Sequence, residues 1–116
     1  MATVQEIVDA LSLEVAAGRE RLDRPVTGGY ASDLLSCVMA KAQPGNVWIT
    51  LQAHMNVVAV AALLDLACVI VTEGAQPSPE MLDKADERGI ALLLSAASTF
   101  EVVGALARLG IGQGAC

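Results

Sequence analysis

The side chains with the clearest capacity for chemistry follow three apolar segments of this sequence. They are Gln52, His54 and Asn56 after residues 47–51, Thr72 and Glu73 at the end of residues 68–72, and Ser95, Ser98 and Thr99 after residues 90–94. In open parallel sheets, ligands bind beyond the carboxyl ends of the strands. If the three segments are such strands, these residues line a pocket for a small polar or anionic ligand, and helix N-termini at Asn56 and Ser98 supply N–H groups. The alternative is that they only cap helices and form turns, as Ser, Thr and Asn commonly do.

A glycine pair marks a second candidate region, within the segment Asp23-Arg24-Pro25-Val26-Thr27-Gly28-Gly29-Tyr30. Adjacent glycines allow positive φ angles or a close backbone approach, and Pro25 stiffens the entry to the segment. We expect a loop that closes over the same edge of the sheet. The residues that it adds to the predicted ligand site are Thr27, Gly28, Gly29, Tyr30 and, just after it, Asp33.

His54, the only histidine, is the one candidate for acid–base catalysis. A catalytic pair would need an orienting carboxylate, for which Asp33 and Glu73 are the candidates. The other interpretation of a lone histidine at a strand end is a hydrogen-bonded structural or interface residue. No glycine precedes a lysine, so the sequence has no P-loop, and one histidine with three scattered cysteines predicts no metal site. We therefore predict no cofactor, no catalytic residues and no serine kinase activity.

Helical and strand patterns alternate along the chain. A T-x-x-E capping box at Thr3 and Glu6 predicts a first helix, and alternation over residues 13–17 predicts a short strand. A long loop follows over residues 19–30, and Ser32 is expected to cap a second helix that ends before Pro44-Gly45.

Three strand–helix units complete the pattern. The strands are predicted at residues 47–51, 68–72 and 90–94, and the helices begin near Asn56, at Pro79 and after a Ser98/Glu101 capping box. Apolar strands that alternate with helices favour an α/β domain in three layers, with a mainly parallel sheet of about four strands flanked by helices. Residues 1–111 form this single domain, and residues 112–116 are expected to be a flexible tail.

Composition limits the classes of partner. Hydrophobic residues make up 54% of the 116 residues, charged residues 17%, and the net charge is −6. There is no basic cluster for nucleic acid, no apolar stretch long enough to span a membrane and no signal-peptide pattern, so we expect a cytoplasmic protein. The helix over Val57–Leu64 has no polar face, which predicts that its second side meets another subunit in a homodimer.

Several segments together resemble stand-alone proteins of the DRTGG domain family. They are Asp23-Arg24, residues 28–36, Val47-Trp48-Ile49-Thr50, residues 54–61 and Ser98-Thr99-Phe100-Glu101-Val102, although Pro25-Val26 interrupts the name motif. The resemblance implies an α/β domain that is usually dimeric, regulatory beside CBS domains in some pyrophosphatases, and similar to the N-terminal non-catalytic domain of HPr kinase. It also implies a possible partner enzyme, since stand-alone members are encoded near iron-only hydrogenases. It carries over no catalytic residues.

Three functions remain open from the sequence. The first is a non-catalytic regulatory or ligand-sensing module that acts as a homodimer, accessory to a hydrogenase or another metabolic enzyme. The second is a small enzyme that acts on a phosphorylated or carboxylated metabolite with His54 as acid or base. The third is a pure dimerisation or assembly module whose polar sheet edge binds nothing.

Overall fold

A computed structural model describes residues 2–112, and these residues form helices and strands in alternation. The elements are α1 (Val4–Leu11), β1 (Glu14–Ala17), a 3₁₀ turn (Arg19–Arg21), β2 (Gly28–Ala31), α2 (Leu35–Lys41), β3 (Asn46–Thr50), α3 (Met55–Leu63), β4 (Cys68–Val71), α4 (Pro79–Arg88), β5 (Ala91–Leu94) and α5 (Thr99–Arg108). The predicted tail lies, apart from Gly112, outside the described residues.

The strands form one sheet in the order β1-β5-β4-β3-β2. The four strands from β2 to β5 are parallel, and β1 pairs with β5 in the antiparallel direction. The predicted α/β class with a mainly parallel sheet is therefore confirmed. The sheet has five strands rather than about four.

The fifth strand is β2, which lies in the segment predicted to be a loop. Neither Gly28 nor Gly29 has a positive φ angle. A Cβ atom on Gly28 would lie 3.2 Å from Asn46 Nδ2, and one on Gly29 would lie 3.2 Å from Val47 Cγ1. The glycine pair thus serves close packing of β2 against β3 rather than a left-handed turn.

Helices cover both faces of the sheet. Successive right-handed crossovers from β2 to β5 advance in one direction, so α2, α3 and α4 lie on one face. Helices α1 and α5 cover the other face. The central strands are buried on both sides, including Trp48 at 0% exposure, which explains their continuous apolar sequences.

The predicted cap of helix α2 needs correction, whereas three other predicted caps are present. Thr3 and Ser98 form the predicted capping boxes, and Ser78 caps α4. Helix α2, however, begins at Leu35 with Leu34 as its N-cap, and Ser32 Oγ instead accepts from Leu34 N–H at 3.1 Å.

Helix α3 buries only part of its apolar surface in this chain. Val57, Val58 and Ala61 are buried, whereas Met55 is 41% and Leu63 71% exposed. The second side is therefore open, and its cover by a partner stays a prediction.

Candidate ligand site at the carboxyl edge of the sheet

The carboxyl ends of β2 to β5 bring most of the predicted site residues to one edge. The residues that lie in the connections leaving this edge are Asp33, Gln52, His54, Asn56, Thr72, Glu73, Ser95, Ser98 and Thr99. A row of hydrogen bonds joins many of them, so the edge is a continuous polar surface.

The glycine segment lies at the opposite end of the sheet, which corrects the expectation that it closes over this edge. Gly28 pairs with Asn46 at the start of β3, because β2 runs parallel to β3. Thr27 Oγ1 donates to Pro44 O at 2.8 Å and accepts from Asn46 Nδ2 at 3.2 Å. Tyr30 pairs with Trp48 in the middle of the sheet.

The arginine of the Asp23-Arg24 pair also has structural contacts. Arg24 donates to Asp65 O at 2.8 Å and forms an ion pair with the Asp65 carboxylate at 3.0 Å. Asp65 has a positive φ of 58° in the turn after α3, and Gly45 N–H donates to Asp65 O. Arg24 therefore joins the turn that leads into β4 to the segment before β2, while Gly45 joins the same turn to the start of β3.

Asp33 organises the end of the edge nearest β2. Its carboxylate accepts from Thr50 Oγ1 at 2.7 Å and from Leu51 N–H at 2.9 Å. Gln52 Nε2 donates to the Asp33 carbonyl at 2.8 Å. Thr50, at 0% exposure, was missed from the sequence because it reads as part of an apolar strand.

Thr72 and Thr99 continue the row toward β5. Their hydroxyl oxygens are 2.6 Å apart, and Thr72 Oγ1 also lies 3.4 Å from Thr50 O, to which it can donate. Glu73 accepts from Thr99 N–H at 2.9 Å through Oε2. Ser95 Oγ accepts from Ala97 N–H at 3.1 Å. The hydroxyls thus fix the geometry of the edge.

The connections at this edge carry net negative charge. The connections at residues 32–36, 51–56, 72–80 and 95–101 contain no lysine or arginine, while they contain Asp33, Glu73, Glu80 and Glu101. Glu73 and Ser98 already accept N–H groups from the first turn of α5. A bound anion would meet carboxylates and few free donors there, so hydrogen-bond donors suit this edge better than phosphates.

His54 is the N-cap of α3, a role predicted for Asn56. Its Nδ1 accepts from Asn56 N–H at 3.2 Å. Among residues 2–112, no hydrogen bond or ion pair joins His54 to a carboxylate. The arrangement gives His54 a structural role, and its other ring nitrogen has no carboxylate partner among residues 2–112.

Replacing His54 tests the cap directly. His54→Ala should lower the free energy of unfolding by about 1 kcal/mol, because α3 loses the acceptor for Asn56 N–H. His54→Asn is the matched control, since asparagine is a good N-cap, and it should lose at most a few tenths of that amount. Urea denaturation of both variants measures the difference, and equal losses would contradict the capping role.

Cys68 is a buried thiol at the start of β4, as its place in the pattern predicts. Burial raises the pKa of Cys68 from 9.0 to about 12, and Arg24 opposes this only partly. Cys37 is half-buried and free. Within residues 2–112, no three His, Cys, Asp or Glu side chains form a group that could hold a metal ion.

The raised pKa predicts how stability depends on pH. The folded state holds the Cys68 proton more tightly than the unfolded chain does. The contribution of the protonated thiol to the free energy of unfolding is therefore complete below pH 9.0 and falls as pH rises toward about 12. Wild type should therefore lose more stability than Cys68→Ala over that range. Denaturant titrations of both proteins at each pH measure this difference, and parallel curves would contradict it.

The fold and the polar edge define a small α/β domain whose residues 6–109 match the model of the DRTGG domain. The chain belongs to the DRTGG domain family. No curated protein sequence matches it. No helix within residues 2–112 has the length and apolar character needed to cross a bilayer.

The fold is shared with a solved regulatory protein structure. It is the crystal structure of the CBS and DRTGG domains of the regulatory region of Clostridium perfringens pyrophosphatase, complexed with the activator diadenosine tetraphosphate. The TM-score is 0.73 at 21% identity, and the match covers 90% of this chain and 45% of that chain. This chain therefore corresponds to less than half of that regulatory region.

Proposed function

We propose that this protein is a non-catalytic regulatory module that binds a small polar ligand at the carboxyl edge of its sheet and acts as a homodimer in the cytoplasm. Membership of the DRTGG family supports a regulatory role, since the pyrophosphatase with the same fold carries this domain in its regulatory region. The DRTGG resemblance supports a metabolic enzyme as partner, with an iron-only hydrogenase as the first candidate.

The observation that carries this proposal is that each candidate for acid–base catalysis makes a structural contact. Asp33 holds Thr50 and the backbone after β3, Glu73 holds the start of α5, and His54 caps α3. Acid–base catalysis requires a base that can reach the proton it removes, and nucleophilic catalysis requires a nucleophile beside that base. A rigid polar surface without such a pair suits recognition rather than reaction.

The acidic edge favours a ligand that presents hydrogen-bond donors. Asn56 is exposed, and in the described residues its side-chain amide makes no hydrogen bond, so it can contact a ligand without loss of an internal contact. Adenosine-containing molecules are the first class to test, because the related regulatory region was crystallised with diadenosine tetraphosphate. Since the edge lacks lysine and arginine, we propose that it recognises the nucleoside part and not the phosphates.

A thermal-shift comparison tests this chemistry. Adenosine should raise the melting temperature more than AMP, ATP or diadenosine tetraphosphate at equal concentration, because each phosphate adds negative charge near Asp33 and Glu73. Stabilisation that increases with phosphate number would overturn the proposed ligand class. No shift with any of the four would favour a pure assembly module.

A further inference from the structure

A concavity of about 570 Å³ lies at the amino end of the sheet, beside β2. Its walls are formed by Thr27–Tyr30, by Lys41 and Gln43 at the end of α2, and by Asn46 at the start of β3. This concavity is at the opposite end of the sheet from the polar carboxyl edge. A ligand bound here would therefore be a second one, beyond the function proposed above.

Asn46 is a buried amide in the wall of this concavity, with 8% of its surface exposed. Its Oδ1 accepts from Gln43 N–H at 2.9 Å, and its Nδ2 donates to Thr27 Oγ1 at 3.2 Å. A carboxamide nitrogen carries two N–H donors, and within residues 2–112 the second has no acceptor. Buried donors are generally satisfied by protein, water or a ligand, so this N–H is available to a group from outside the chain.

Gly28 keeps the space beside this donor open. A Cβ atom on Gly28 would lie 3.2 Å from Asn46 Nδ2, so any side chain there would crowd the amide. Gly28 also pairs with Asn46 across β2 and β3, and the sheet therefore fixes the two residues relative to each other. A donor that is already held in place costs little further ordering when a ligand binds.

Lys41 gives the concavity its charge. It is exposed, and no aspartate or glutamate lines the concavity with it. The ion pairs within residues 2–112 are Arg24–Asp65 and Lys84–Glu87, so the Lys41 ammonium has no internal partner. In a chain with a net charge of −6, this wall offers one uncompensated cation beside neutral donors.

We propose that the concavity binds a small molecule with one carboxylate, whose oxygens accept from Asn46 Nδ2 and pair with the Lys41 ammonium. Hydrogen bonds and ion pairs to a carboxylate are stronger than those between neutral groups. Tyr30 and Pro44 line the same concavity and contact the apolar body of the ligand. A phosphate monoester fits less well, because one lysine cannot balance its charge of about −1.5 to −2.

Nuclear magnetic resonance titrations with benzoate and benzamide test this site. The two probes share a ring, but only benzoate carries a negative charge. Benzoate should cause saturable shifts of the Asn46 side-chain amide signals and of the backbone amide signals of residues 27–30. Benzamide should cause no saturable shift of these signals, because it lacks the charge that Lys41 pairs with.

Lys41→Gln and Lys84→Gln are the matched pair of variants. Lys41 lines the concavity, whereas Lys84 lies on α4 and pairs with Glu87 at 3.8 Å. Lys41→Gln should raise the dissociation constant of benzoate about tenfold or more, as expected for the loss of one charge-assisted contact. Lys84→Gln should leave this dissociation constant unchanged.

Three results would overturn the carboxylate site: no saturable shift with benzoate, equal shifts with benzamide, or equal losses of affinity in the two variants. Inorganic phosphate that saturates the same signals at a lower concentration than benzoate would overturn the carboxylate class in favour of phosphate. Because adenosine has no carboxylate, each of these results is independent of adenosine binding at the carboxyl edge.

Discussion

Gly18→Ala should lower the free energy of unfolding by more than about 3 kcal/mol, the upper end of the usual cost of backbone strain alone. Gly18 has a φ of +71°, and a Cβ atom there would lie 2.1 Å from Ile90 O. The contacting atoms belong to the backbone that leads into β5, so they cannot move aside as a flexible side chain would. Gly18 N–H also donates to Asp86 at 2.8 Å, which fixes its position against α4.

Gly74→Ala is the matched control for Gly18→Ala, because it places alanine in the same left-handed conformation without a steric clash. Gly74 has nearly the same φ, +72°, but no atom lies within 4 Å of the position that its Cβ would take. This variant should lose only about 1–2 kcal/mol, the cost of a left-handed conformation for alanine. Chemical denaturation of the pair measures the difference, and similar losses at the two positions would contradict close packing of Gly18 on Ile90.

Asp33→Ala is expected to have the second-largest effect, a loss of roughly 2–4 kcal/mol, because hydrogen bonds to charged groups contribute about 1.5–3 kcal/mol. The substitution leaves the buried Thr50 hydroxyl and Leu51 N–H without their acceptor. Asp33→Asn keeps an acceptor oxygen and should lose less than half as much.

A double variant checks the cause. Adding Thr50→Val to Asp33→Ala removes the buried Thr50 hydroxyl that has lost its acceptor. The double variant should therefore recover part of the stability that Asp33→Ala loses. If the loss in the double variant equals or exceeds the sum of the two single losses, Thr50 does not depend on Asp33 in the way the hydrogen bond implies.

Local signals in the sequence predicted much of the fold. The capping boxes at Thr3 and Ser98 and the proline at the start of α4 depend on residues within one helical turn, and the structure contains all three. The parallel sheet followed from apolar strands alternating with helices. These features can be read locally because their causes lie close together along the chain.

Features that depend on distant contacts could not be predicted in this way. The glycine pair suggested a turn, and only the proximity of Asn46 and Val47 shows that it is a strand under close packing. For the same reason, Thr27, Gly28 and Gly29 were expected at the carboxyl edge although they lie near the amino end of the sheet, with Tyr30 in its middle. His54, rather than the predicted Asn56, caps α3, because an imidazole nitrogen can accept a backbone N–H hydrogen bond as a carboxamide oxygen does.

Calorimetric titration with adenosine of wild type, Asn56→Ala and Gln43→Ala tests ligand binding at the carboxyl edge most directly. Asn56 lies at that edge, whereas Gln43 is an exposed amide in a concavity of about 570 Å³ at the amino end, beside Thr27 and Gly28. We predict saturable binding to wild type, unchanged binding to Gln43→Ala and an affinity about tenfold lower for Asn56→Ala, equivalent to about 1.4 kcal/mol. No binding to wild type, or a loss confined to Gln43→Ala, would contradict a ligand site at the carboxyl edge.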